Sequence, residues 1–441
     1  RNKILQLSGS ELARRIRNRE VSSEEVVECF IERCKAVNPI VNAIVEARFD
    51  AAMQEAREVD DFLKRTRKSK EELSEELPLL GLPVTVKESV AVKGMSHSVG
   101  LIKDPIERAS EDASVIKLIR KAGGIILLVS NTPELCLFWE TYNSVTGMTF
   151  NPYDNRRVAG GSSGGEAALL GSGASILGVV SDIAGSARLP AMFCGVFGHK
   201  PTPRCVPCEG HRPESTANYW PDFFTFGAMV RYAEDLPLLL KVMAATPEVR
   251  KSFGQIFYAE HDGSNIAQSI DAEIILAARK LKHHMEKTYN SKVQKVHQCL
   301  CIHWLFSFEI IINNEATKLA CLFCMSLNIK WILEGGNKFN ISHFLQDILG
   351  TNGVLIYPTY CSTAHFPYET YFNVGNYQHM SIFNTLGLPV TQCPLGLDRK
   401  GLPFGVQIVA NVGCDHLGMA MAEEISKVFG GWQEPSAERT V

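Results

Sequence analysis

The 441-residue chain predicts an α/β sandwich built on a largely parallel central sheet. Three observations point there. Short apolar runs at Leu82 to Val86 and Gly124 to Val129 have the length and bounding residues of buried strands. A helical pattern, Ser114 to Ala122, lies between them, which is the order a crossover between neighbouring parallel strands needs. The C-terminus repeats the alternation, with a strand at Phe404 to Ala410 and a helix at His416 to Val428.

The remaining elements follow in chain order. Ser22 stands three residues before Glu25, a capping-box arrangement, and opens a helix with Val26, Val27, Phe30 and Ile31 on one face. Asn38-Pro39 is expected to stop it. Ala43 to Lys64 reads as a second, strongly charged helix. Residues 156–200 are rich in Gly, Ser and Ala with isolated charges, too apolar for a linker and too glycine-rich for an ordinary helix. Residues 245–350 are the least regular: helix candidates at Asp271 to Tyr289 and Asn340 to Leu349 flank an apolar, cysteine-rich stretch. A strand returns at Gly353 to Pro358. With no repeat, low-complexity segment or clear linker, the expectation is a single domain over 1–441 in which 245–350 is atypical.

Composition narrows the function. Forty-five basic residues against 48 acidic ones give a net charge of −3, which argues against a nucleic-acid binder. Thirteen scattered cysteines are an odd number and do not form a secreted disulfide framework, so reduced thiols in an intracellular compartment are expected. Cys205/Cys208 and Cys321/Cys324 have CxxC spacing, and Cys299 and Cys301 lie near His303. These pairs are far apart, and buried free thiols are preferred to a metal site. The longest apolar run, Cys299 to Ile312, is too short to span a bilayer, so any membrane anchor would precede Arg1.

Three features could carry chemistry. Lys87 directly follows the apolar run Leu82-Pro83-Val84-Thr85-Val86. Desolvating an ammonium lowers its pKa, so a buried Lys87 could serve as a neutral base; the alternative is a strand-end lysine reaching solvent. GGSSGGE, residues 160–166, is glycine-rich but ends in Glu166 where a P-loop needs Gly-Lys-Ser/Thr. It is better explained as a strained turn around two hydroxyls, Ser162 and Ser163, with a flexible loop as the alternative. SDIAGSARLP, residues 181–190, puts small residues before Ser186, so that several backbone N–H groups can converge as an oxyanion hole requires. No Gly-x-Ser-x-Gly elbow surrounds it.

A lysine and two serines in this order, with the stretch GGSSGGEAALLGSGASILGVVSDIAGS, resemble the amidase signature family. LGLPVTVKES, NTPEL (131–135), FNPYD (150–154), FGHKPT (197–202), GAMVRYAEDL (227–236) and LGLPV (386–390) extend the resemblance over nearly the whole chain. PELCLFWETYN, FCGVFGHKP and VRYAEDLPLLLKVMA are similar to its fatty-acid amide hydrolase branch.

The resemblance implies a mixed, mostly parallel central sheet covered by helices on both faces, and amide hydrolysis without metal or cofactor. It implies Ser186 as nucleophile, Ser162 as proton bridge after a cis peptide bond, and Lys87 as base, working through an acyl-enzyme. The N–H groups of Ile183, Ala184, Gly185 and Ser186 would hold the oxyanion, with Ser163, Asp182 and Arg188 in support. Cys136, Leu137 and Phe138 fall where acyl-pocket residues lie, ordinary core positions being the alternative. His199 is not needed for the chemistry and is expected to be a satisfied core or surface histidine.

The implied substrate is a fatty-acid amide, with a membrane surface and a second copy of the chain as further partners. A general small-amide amidase, a weakly catalytic lipid-amide or partner-binding protein, and a transamidase subunit acting on charged transfer RNA are the alternatives. Four departures stand out: Ala184 and Arg204 occupy places where the family usually has glycine, Ala187 stands where a larger branched residue is common, and the region from Val249 to Gly350 is shorter than the family's.

Overall fold

The computed structural model describes residues 2–103, 105–215, 217–244, 254–260, 267–290, 292–296 and 341–436. The apolar run from Cys299, the pair Cys321/Cys324 and His303 lie outside the described residues. Among the described residues, eleven strands form one sheet. In chain order they are β1 (Ile44–Ala47), β2 (Pro83–Lys87), β3 (Ile125–Ser130), β4 (Leu177–Asp182), β5 (Phe197–Lys200), β6 (Thr225–Val230), β7 (Ile256–Tyr258), β8 (Gln294–Lys295), β9 (Val354–Pro358), β10 (Val390–Leu397) and β11 (Pro403–Ala410). Across the sheet they run β1-β3-β2-β4-β6-β5-β10-β11-β9-β7-β8.

The sheet is mixed. It is parallel where β3, β2 and β4 adjoin and where β9, β7 and β8 adjoin, and antiparallel elsewhere. The alternation visible in the sequence marks one of the parallel parts: β2 and β3 are joined through the helix Ser114–Lys121, and every residue of both strands is buried. The C-terminal strand β11, read from the same kind of alternation, is antiparallel to both its neighbours. A strand covered on both faces reads as a continuous apolar run. The helix Asp415–Phe429 packs on β10 and β11, and Phe49–Arg65 packs on β3 and on the helix Ser23–Val41.

Two N-terminal expectations need correction. Pro39 does not end its helix, which continues to Val41 and closes at Asn42 in the left-handed conformation, with Asn42 N donating to Asn38 O at 2.8 Å. Beyond it the Asn38 side chain accepts from Ala43 N and Ile44 N, both at 2.9 Å, and turns the chain into β1. The charged stretch read as one helix from Ala43 is therefore a short strand, paired antiparallel with β3, followed by the helix Phe49–Arg65. The strand is only four residues long and half exposed, too little for a period of two to show.

Candidate active site

Lys87 is the last residue of β2 and is fully buried, flanked by β3 and β4. Its Nζ lies 2.6 Å from Ser162 Oγ and 3.0 Å from Ser181 Oγ, both within hydrogen-bond distance. Burial pushes the lysine below its ordinary pKa, against the pull of Cys136, Asp182 and, more weakly, Glu166. No carboxylate among the described residues hydrogen-bonds it.

Ser162 sits in the glycine-rich loop, 1% exposed, after a cis Gly161–Ser162 peptide. The glycines are there for close approach. A Cβ on Gly161 would meet the Phe138 carbonyl oxygen at 2.7 Å, and Gly160 has φ +81° with Pro190 Cα 2.8 Å from where a Cβ would be. Thr141 clamps the loop, its Oγ1 donating to Gly160 O at 2.9 Å and accepting from Gly164 N at 3.0 Å. The Ser162 carbonyl accepts from Thr132 Oγ1 at 3.1 Å. The loop then opens the buried helix Gly164–Gly171, with Ser163 just before its first turn. In that turn Glu166 points at β2, where Thr85 Oγ1 donates to it at 2.5 Å; burial raises its carboxyl to about 7.

Ser186 follows the turn after β4 and is 4% exposed. The turn is set by Asp182, whose carboxylate accepts from Gly185 N and Ala187 N, both at 2.9 Å. Arg188, also fully buried, donates to the same carboxylate at 3.1 and 3.0 Å and to Asn384 Oδ1, Gln407 Oε1 and the Met380 carbonyl. Burial alone would raise Asp182, but Arg188 and the two N–H groups hold it well below the usual carboxylate range. Since Gly185 N is occupied by Asp182, a four-donor oxyanion hole is not available in this arrangement. Among the described residues no protein acceptor takes the N–H of Ile183, Ala184 or Ser186. Ala184 does not have a positive φ, so the strain that alanine would carry there does not arise; Gly185, at φ +112°, takes the unusual conformation. Arg204 does have one, φ +64°.

Cys136, Leu137 and Phe138 are half-buried, and Leu135 and Cys136 have φ of 53° and 60°. Cys136 Sγ lies 3.2 Å from Thr132 Oγ1 and beside Lys87. The Phe138 ring centroid is 4.6 Å from that of Tyr371, which is exposed, as is its neighbour Phe372. His199 is buried between Thr391 Oγ1 (2.9 Å) and Asp415 (3.1 Å), a satisfied core histidine.

Two residues at the lysine were not singled out by the sequence. Ser181 lies inside a recognised motif, and the period-two alternation of β4 could have aimed it at Lys87. His211, whose Nε2 is 3.1 Å from Ser181 Oγ, carries no local signal. A cleft of about 860 Å³ beside Arg204, Leu238, Lys241 and His416 shares no residue with this cluster. Among the described residues no group of His, Cys, Asp and Glu could hold a metal ion, and no helix is long and apolar enough to cross a membrane.

Comparison with known proteins agrees with the fold. The sequence model of the amidase family matches residues 25–300. The chain is 37% identical to fatty-acid amide hydrolase 2-A of Danio rerio over 98% of its length and 91% of that protein's. It is equally similar to fatty-acid amide hydrolase 2 of Homo sapiens over the same shares. The first alignment runs over 486 positions, more than the 441 residues present, so that relative carries residues without a counterpart here. Among solved structures, a 6-aminohexanoate cyclic dimer hydrolase superposes with a TM-score of 0.80 at 22% identity, covering 98% of this chain and 99% of that one. A fatty acid amide hydrolase superposes at 0.79 and 21% identity, covering 98% and 86%. With the family model covering more than half of the chain and the relatives aligned over nearly all of it, the chain belongs to the amidase signature family of amide hydrolases.

Proposed function

We propose that the chain hydrolyses fatty-acid amides through an acyl-enzyme, with Ser186 as nucleophile, Ser162 as proton bridge and Lys87 as base. The observation that carries this reading is the buried Lys87 Nζ, 2.6 Å from Ser162 Oγ, with hydroxyls rather than a carboxylate as its hydrogen-bond partners. A serine hydroxyl needs a base to become a nucleophile at neutral pH, and an amine kept neutral by burial can be that base.

In the proposed sequence Ser162 takes the Ser186 proton while its own passes to Lys87, and Ser186 Oγ bonds to the amide carbon. The charge that gathers on the carbonyl oxygen meets the N–H groups of Ile183, Ala184 and Ser186. The relay then returns the proton to the departing nitrogen and the C–N bond breaks. Water, deprotonated by the same groups, attacks the ester, the bond from the acyl carbon to Ser186 Oγ breaks, the relay returns the proton to Ser186 Oγ and the carboxylic acid leaves. Asp182 and Arg188 hold the turn that aims Ser186. The 37% identity to two fatty-acid amide hydrolases supports a lipid amide as substrate, as does the half-buried Phe138 packed against exposed Tyr371.

An active-site-directed fluorophosphonate tests the nucleophile. The expected result is labelling of the wild-type chain and none of Ser186→Ala. Equal labelling of both would remove Ser186 from the role, and labelling of neither would favour a binding protein that has lost catalysis.

A further inference from the structure

The lysine's hydrogen bonds continue beyond the two serines. Ser181 Oγ lies 3.0 Å from Lys87 Nζ on one side and 3.1 Å from His211 Nε2 on the other. His211 Nδ1 lies 2.9 Å from the Pro213 carbonyl oxygen. The ring is 3% exposed and is held by Phe224 and Phe226 at centroid distances of 4.4 and 5.7 Å.

The chemistry of the far end fixes the direction of every bond in this chain. A carbonyl only accepts, so the imidazole proton sits on Nδ1, and Nε2 offers a lone pair. Ser181 must then donate its one proton to Nε2, which leaves its oxygen only lone pairs to present to Lys87. A neutral lysine has two N–H bonds and one lone pair. With Ser181 able only to accept, an N–H points there, which keeps the lone pair off Ser181 and free to take the hydroxyl proton of Ser162, 2.6 Å away, while the remaining N–H can face the Cys136 thiol.

We propose that His211 is a positioning residue for the Lys87 base: acting through Ser181, it turns the lysine's lone pair toward Ser162. The inference rests on the reading of Lys87 as base and goes beyond it by naming what orients that base. His211 stays neutral in this role, because burial and then the nearby Lys87 drive its pKa well below the ordinary value. The other groups facing the pair are Cys136, Asp182 and Glu166 around Lys87 and His97 beside His211. None of these hydrogen-bonds Ser181 Oγ.

Without the imidazole, Ser181 can rotate and donate to the amine, competing with Ser162 for the lone pair. That favours the neutral lysine while misdirecting it. His211→Leu should therefore lower kcat about tenfold or more, short of the ~10²–10⁴-fold typical of a general base itself. KM should stay nearly constant, and the acid limb of kcat/KM should move to lower pH. His211→Gln, whose amide oxygen can accept from Ser181, should recover most of the rate and return the limb toward wild type. The pair His211→Leu with Ser181→Ala should lose no more than the larger single change, because both act on one chain of bonds.

An unchanged pH profile in His211→Leu, a change in KM alone, or additive losses in the pair would overturn the proposal. If His211→Leu fails to fold, Ser181→Ala leaves the imidazole packing in place and makes the same test: a normal rate and limb would overturn it. Lys87→Met separates the two levels of the argument. Near-normal activity in that variant removes the base reading and the His211 proposal together, whereas an inactive Lys87→Met with a normal His211→Leu removes the His211 proposal alone.

Discussion

Lys87 and Arg188 are two cations at zero exposure on either side of the same strand, and they are held in opposite ways. Ser181 and Asp182 are consecutive residues of β4, so their side chains leave the sheet on opposite faces. Ser181 meets Lys87, and Asp182 meets Arg188. Arg188 makes five hydrogen bonds, two of them to the Asp182 carboxylate, and the pair settles the turn that carries Ser186. Lys87 has hydroxyls and a thiol around it, and its pKa falls with burial. A buried cation with a carboxylate keeps its charge and fixes structure; one without it is poised to give up a proton.

The sharpest way to break this contrast is to remove each cation in turn. Lys87→Met should lower kcat/KM by about 10²–10⁴-fold and abolish the acid limb set by the lysine, while leaving the denaturation midpoint equal to or above that of wild type. Rate against pH and a denaturant titration of the same variant make the check. Arg188→Met should do the reverse to stability: stripping one partner from a buried pair costs roughly 3–5 kcal/mol, because Asp182 is left charged and unpaired. If the two variants lose equal stability, Lys87 is also a structural cation and the distinction collapses.

Glu166 tests whether burial alone sets a proton's place on the Lys87 side. Its pKa in the folded chain is raised to about 7, from an ordinary value of 4.5. An acid raised on folding lends stability below its unfolded pKa and loses it as the pH climbs through the folded value. Wild-type stability should therefore fall between about pH 4.5 and 7 relative to Glu166→Gln, by a few kcal/mol at most. Thr85 can donate to the amide oxygen as it does to the carboxyl. Parallel stability curves for the two chains would show that Glu166 stays ionised.

Much of this site was legible because its chemistry lies in contiguous motifs. The apolar run before Lys87 announced a buried strand, and the glycines of 160–165 announced a backbone that approaches its neighbours closely. What was not legible is what depends on distance in sequence. His211 reaches Ser181 across 30 residues, and Asn384 and Gln407 reach Arg188 across 196 and 219. Local periodicity carries no trace of such pairs. β1 was hidden for another reason: four half-exposed residues between charged helices show neither a clear period of two nor one of 3.6. The occupied Gly185 N–H belongs with these, since only the turn geometry tells which donors are left free.

The smallest effect belongs to a third cation, Arg204, which is neither buried nor poised. It lies on the surface, with its Nε 2.5 Å from Asp222 and an Nη donating to the Asn218 carbonyl at 3.0 Å. Its backbone has φ +64°, a region that a side chain disfavours and that glycine enters freely. If partner and burial decide what a cation does, this one should matter little to either rate or stability, because exposed ion pairs contribute little and are screened by salt. Arg204→Gly exchanges that weak pair for relief of the backbone, while a freer glycine in the unfolded chain takes part of the gain away. The expected outcome is a rise in the melting midpoint of about a degree, with kcat/KM unchanged. Arg204→Ala separates the terms: it removes the pair but keeps the strained φ, so its midpoint should fall slightly below wild type. A large loss in either variant would mean that the Asp222 pair anchors the segment around Trp220–Phe223, against which the helix Gln378–Thr385 packs. Exposure would then be a poorer guide to a cation's role than the contrast between Lys87 and Arg188 implies.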